Sequence, residues 1–176
     1  MIQNTYQDLL GQITVRYEQG KAQAMQTVNT NLVETYWHIG QYIVEYEQGG
    51  NSKAAYGEGL LKQLSKDLSL TYGKGFSLSN MYLMRLCYQR YPIFQTLSGK
   101  LGWSILSEIL TIDDPLERSF YEKQAEIERW NVQELKRQKA SSLFLQLAAS
   151  KDKEGILQLA KQGQMLENQA TLSRLF

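Results

Sequence analysis

The stretch from Leu60 to Pro92, LLKQLSKDLSLTYGKGFSLSNMYLMRLCYQRYP, leaves the chain little choice beyond two helices and a tight turn. Leu60, Leu64 and Leu68 recur at four-residue spacing, which stacks them on one helical face. Gly73 and Gly75 are read as supplying the positive φ that a helix end and the turn after it require. Ser77 is placed to cap the second helix, with Phe76 and Met81 at the spacing of a hydrophobic staple. Pro92 ends that helix at Tyr91, because the residue before a proline is pushed out of the helical region. The expectation is a helix-turn-helix unit.

The rest of the chain reads the same way. Tyr6, Leu9, Leu10, Ile13 and Tyr17 form a short amphipathic pattern that Gly20 is expected to interrupt. Met25, Val28, Leu32, Tyr36, Ile39, Ile43 and Tyr46 then alternate spacings of three and four up to the break at Gly49-Gly50-Asn51-Ser52. This near-heptad seam fits first a helix lying across the core, and second a paired helix at a dimer interface. Gly57 and Gly59 weaken the start of the next helix and do not form a phosphate loop, because no strand precedes them and no Gly-Lys-Ser/Thr follows.

Beyond Pro92, Ser104 is expected to cap a helix running through Leu110. Asp114-Pro115-Leu116-Glu117 and Asn131-Val132-Gln133-Glu134 are helix-start signals, and Trp130 with Leu135 forms a second staple. They predict helices over 115–129 and 132–149, a second helix-turn-helix candidate, then a last helix near 153–162 and a tail. With only two prolines and few β-branched runs, the chain is expected to be all-α: a multi-helix domain with two helix-turn-helix-like units and an N-terminal helical layer. The expected divisions are a layer over 1–50 that can serve dimerisation, a core over 51–162 and a tail over 163–176.

A single cysteine excludes an internal disulfide, and one cysteine with one histidine cannot build the usual zinc site. There is no signal-peptide pattern and no apolar run long enough to span a bilayer, so a cytoplasmic protein without membrane contact is expected. His38 lies beside Trp37 and Ile39 with no nucleophile, carboxylate pair or second ligand in its pattern, and reads as structural. Glu134-Leu135-Lys136 with Asp113 or Asp114 upstream copies the letters of a nuclease signature. Asp114 and Glu134 are explained instead as parts of helix starts. No catalytic, metal or cofactor residue is assigned.

Charge is unevenly spread. Residues 51–100 hold seven basic and two acidic groups, whereas residues 1–50 hold two and five. A local basic excess is the footprint of a phosphate-binding face, and equally of a solvated helix surface. On the second helix of the leading unit, Leu83, Met84, Cys87 and Tyr91 cluster on one side. Leu78, Ser79, Tyr82, Arg85 and Gln89, with Leu86 leaning toward them, occupy the other. Arg85 suits phosphate or a guanine edge and Gln89 an adenine edge, while Ser77, Ser79 and the first-turn amides suit phosphate. Lys74 and Arg90 extend this face, and Lys136, Arg137 and Lys139 form a second basic cluster near a helix start. Leu78, Tyr82 and Leu86 fit a protein contact as well.

Several ordered segments resemble the N-terminal domain of the YhcG-type nucleases: Tyr36-Trp37-His38-Ile39-Gly40, Tyr56-Gly57, Leu64-Ser65-Lys66-Asp67-Leu68, Gly75-Phe76-Ser77 with Asn80, Met84-Arg85, Tyr91-Pro92, Trp103-Ser104, Phe120-Tyr121 and Trp130 with Glu134-Leu135. The resemblance covers about residues 10–160. It implies a bacterial helical domain joined to a C-terminal PD-(D/E)xK endonuclease domain. Where that family often carries arginines after the capping serine, this chain has Leu78 and Ser79, and Trp103-Ser104 is followed by Ile105-Leu106 instead of a histidine-bearing pair. The function expected is DNA binding, by backbone or structure, that positions a separate nuclease domain lying outside this chain. A helical interaction and oligomerisation module is the alternative.

Overall fold

A computed structural model of the chain describes residues 6–49, 54–97, 99 and 101–149. Seven α-helices follow one another, with no strand among the described residues: α1 (Tyr6–Gln48), α2 (Ala54–Tyr72), α3 (Leu78–Arg90), α4 (Trp103–Ile109), α5 (Pro115–Ile127), α6 (Val132–Ala140) and α7 (Leu143–Ala149). Single 3-10 turns at Lys74–Phe76 and Phe94–Thr96 flank α3. The all-α expectation holds. The proposed helix at 153–162 and the tail lie outside the described residues.

The first core is built around α3, which presents Met81, Met84 and Cys87, all fully buried, to Val33, Trp37 and Ile43 of α1 and Leu61 of α2. Its wheel follows the sequence reading except at Leu86, which packs against the core. Leu61 is the missed member of α2, where the four-residue leucine spacing marks the edge of the buried face, not its centre. A second core joins Ile109 and Ile112 to Phe120, Tyr121 and Ala125 of α5 and Leu135 of α6. A buried polar contact ties the first core to α5 of the second: the Tyr91 hydroxyl donates to Glu122 at 2.9 Å. Within the first core the Trp37 indole donates to the Tyr91 carbonyl at 2.6 Å.

Helix punctuation follows the sequence where side chains supply it. Ser77 accepts from the Asn80 amide, Asp114 from the Glu117 amide at 2.7 Å, and Asn131 from the Glu134 amide at 2.9 Å. It departs in four places. Gly20 does not interrupt α1, which runs unbroken for 43 residues; a single glycine costs a helix only about 1 kcal/mol, less than a break would. Of the two turn glycines, Gly73 alone has positive φ, at 86°. Gly75 serves close approach, because a Cβ there would meet the Tyr36 hydroxyl at 3.2 Å. Helix α4 starts at Trp103 behind Gly102, so Ser104 lies within the first turn and does not cap it. The helix expected over 132–149 breaks at Ser141-Ser142, where Ser142 has φ 54° and separates α6 from α7. Serine competes for backbone hydrogen bonds and holds a helix interior weakly.

The largest departure is in α1. Val33, Trp37, Gly40 and Val44 bury its core-facing side, whereas Met25, Val28 and Leu32 of the expected core seam are exposed. From Tyr6 to Val28 every residue is exposed. The near-heptad pattern therefore divides: Tyr36, Ile39 and Ile43 pack on the first core, whereas Met25, Val28, Leu32 and Tyr46 are left open.

Candidate nucleic-acid interface

The leading unit is assembled by hydrogen bonds that fix the turn between α2 and α3. Ser65 and Ser69 both donate to the Phe76 carbonyl, at 2.8 and 3.0 Å. Asn80 is the hub: its amide group donates to the Gly75 carbonyl and its oxygen accepts from the Trp103 indole at 2.7 Å. With Phe76 and Met81 both joined to the first core, the exit of α2 and the entry of α3 are held from two sides.

This frame turns part of the predicted face outward. Lys74, Ser77, Leu78, Ser79, Tyr82 and Gln89 are exposed, and Lys62 and Lys66 of α2 are exposed with them. Both lysines belong to the basic excess of residues 51–100. Their four-residue spacing, off the Leu60-Leu64-Leu68 face, is the signal that could have found them.

The arginines of α3 do internal work. Arg85 is half-buried and its Nε donates to Glu47 of α1 at 2.8 Å. Arg90 reaches the Ile112 carbonyl and the Asp113 carboxylate, the latter at 2.7 Å, which fastens the end of α3 to the segment between α4 and α5. The second basic cluster is engaged locally, with Glu108 shared by two lysines and Glu134 taken by the arginine. Lys136 pairs with Glu108 at 3.0 Å, and Lys139 donates to the Glu108 carbonyl at 3.0 Å and to Thr111 at 3.1 Å, clamping α6 to α4. Arg137 forks onto Glu134 at 2.7 and 3.0 Å. That bond holds the Glu134 carboxyl below its ordinary range, helped by Gln138. Glu134 thus serves the ion-pair surface of α6. Among the described residues no group of three or more His, Cys, Asp or Glu side chains is placed to hold a metal ion.

His38 is structural in its surroundings: its ring meets Gln41 at 3.1 Å and lies edge-on to Trp37. Cys87 is sealed in the first core, and burial, with Glu122 nearby, pushes its thiol up to about 12. No described helix is long and apolar enough to cross a membrane.

The fold and this face define an all-helical domain whose α2–α3 unit carries exposed lysines and hydroxyls on a rigid frame. The chain belongs to the family described as the DUF1016 N-terminal domain, which matches residues 12–146. It is 35% identical to the Escherichia coli (strain K12) protein named "Putative nuclease YhcG" over 185 aligned positions, covering 87% of this chain and 49% of that protein. The chain thus spans about half the length of the curated relative it matches. No solved structure matches it.

Proposed function

We propose that this domain binds DNA through phosphate contacts and positions a separate PD-(D/E)xK endonuclease domain in a longer protein. The observation that carries the reading is the exposure of three cations of the α2–α3 unit, Lys62, Lys66 and Lys74, together with that of Ser77, Ser79, Tyr82 and Gln89. Lysines and hydroxyls serve phosphate oxygens, and exposed Leu78 and Tyr82 make the face too apolar for extended base reading. The likeness to a protein named as a nuclease supplies the reason for DNA as the polyanion. Arg85 and Arg90 contribute by holding α3 through their ion pairs with Glu47 and Asp113, whereas Lys136, Arg137 and Lys139 are engaged with Glu108 and Glu134 on the α4–α6 surface.

Fluorescence anisotropy with a labelled duplex across a salt series tests the reading. Binding at micromolar protein that weakens with salt is expected, with a log–log slope of about −3 for three lysine contacts. Absence of salt-dependent binding at that concentration overturns it. A second reading, an interaction and oligomerisation module acting in the cytoplasm, is favoured by a different observation: the apolar face that α1 leaves exposed.

A further inference from the structure

Helix α1 has two apolar faces, and the domain uses one. At about 100° per residue, Leu10, Ile13, Tyr17, Ala24, Val28, Tyr42 and Tyr46 fall within about 60° of one another, opposite the core-facing Val33, Trp37, Gly40 and Val44. On the open face Leu10, Ile13, Tyr17, Val28, Tyr42 and Tyr46 are each at least 45% exposed. Toward its C-terminal end this stripe runs into a groove of about 550 Å³ between α1 and α2, formed by Ile39, Tyr42, Ile43 and Tyr46 against Leu60, Leu64 and Leu68. Toward its N-terminal end it continues along a wholly exposed helix containing Gly11 and Gly20. A solitary exposed helix with two interior glycines is marginal in water, so this segment calls for a partner surface.

The spacing along the stripe identifies that partner. Counted outward from Val28, the apolar positions mirror one another: Leu10 matches Tyr46, Ile13 matches Ile43, and Tyr17 matches Ile39. Between them a small residue falls opposite a large one, Ala24 with Leu32, which is 38% exposed. A helix laid antiparallel on its own copy would set each bulky side chain against a matching hole or groove, and would do so twice by symmetry. Charge selects the same arrangement. An in-register parallel pair sets Glu34 and Glu45 against themselves, whereas the antiparallel pair brings Glu34 beside Lys21.

We propose that two copies of this chain pair antiparallel along α1 about a two-fold axis at Val28, so that Leu10, Ile13 and Tyr17 of each copy fill the groove between α1 and α2 of the other. The proposal rests on the interaction-module reading and is independent of DNA contact. It gives the groove an occupant and the exposed half of α1 a partner over about five heptads, more than the three or four that mark a sustained helix pair.

Site-directed disulfide formation in the full chain, with sedimentation of the unsubstituted chain alongside, tests it. Cys87 is buried and stays silent under mild oxidation. The expected result is a concentration-dependent dimer, in which Val28→Cys cross-links to itself. Leu10→Cys and Tyr46→Cys do not cross-link alone but do so when mixed. Ile13→Glu should raise the dimer dissociation constant about 100-fold or more, since it buries a charge in an apolar groove. A chain that sediments as a monomer at all concentrations overturns both the proposal and the interaction-module reading. Self-cross-linking of Leu10→Cys as strong as that of Val28→Cys overturns the antiparallel register alone.

Discussion

Gly40 of α1 lies so near α3 that a Cβ added to it would stand 2.0 Å from the carbonyl oxygen of Met84 and 2.7 Å from its carbonyl carbon. The two helix backbones cross there in near contact. That approach lets the fully buried Met81, Met84 and Cys87 meet Val33, Trp37 and Ile43.

Gly40→Ala should therefore destabilise the domain by about 3 kcal/mol, because the obstructing atoms are main chain and cannot swing aside. Urea denaturation followed by circular dichroism measures this. Gly59→Ala, on a helix surface with open space around its Cβ, should by contrast be neutral or stabilising. Equal effects at the two glycines would contradict the close crossing.

Arg129 sits just past α5 with φ 51°, and the Trp130 amide donates back to the Ala125 carbonyl at 3.1 Å. This is a left-handed helix end that ordinarily takes glycine. Arg129→Gly should raise stability by about 0.5–1 kcal/mol, read as an upward shift of the urea midpoint. Arg129→Val should lower it.

The buried Cys87 thiol should resist alkylation at neutral pH and react only as the domain opens. Burial raises its pKa from an ordinary 9.0 to about 12, so the folded state holds the proton that the unfolded state has released in between. Stability from this group is fully present below pH 9 and declines as pH rises toward 12. Thiol-reagent kinetics in increasing urea provide the check. Fast labelling in the native buffer would place the thiol at the surface.

Substitution should separate contact residues from frame residues. Lys74→Ala should weaken duplex binding several-fold and reduce the salt slope by about 1, with the urea midpoint unchanged. Arg90→Ala should instead lower stability by about 1–3 kcal/mol, because it removes the ties from α3 to Ile112 and Asp113. Anisotropy and denaturation on the same two proteins distinguish the roles.

Local chemistry alone determined much of this molecule. Ser77, Asp114 and Asn131 cap the helices they precede, Pro92 closes α3, and Gly73 takes the left-handed turn. Each of these acts through atoms a few residues away, so the sequence order contains the whole interaction. The buried side of α3 was legible for the same reason: Met84 and Cys87 recur at helical spacing.

Only the tertiary structure decided which of two apolar faces of α1 the core would take. Val33, Trp37, Gly40 and Val44 hold the centre of the buried side because Gly40 admits the α3 backbone, and the near-heptad seam joins the core at Tyr36, Ile39 and Ile43 but is left outside at Met25, Val28 and Leu32. Periodicity reports that a face is apolar but not what covers it. The same holds for charge. Arg85 and Arg90 look free in the sequence, yet Glu47, 38 residues before Arg85, and Asp113, 23 after Arg90, hold them in the fold. Such long-range partners are brought together by packing, and no local pattern announces them.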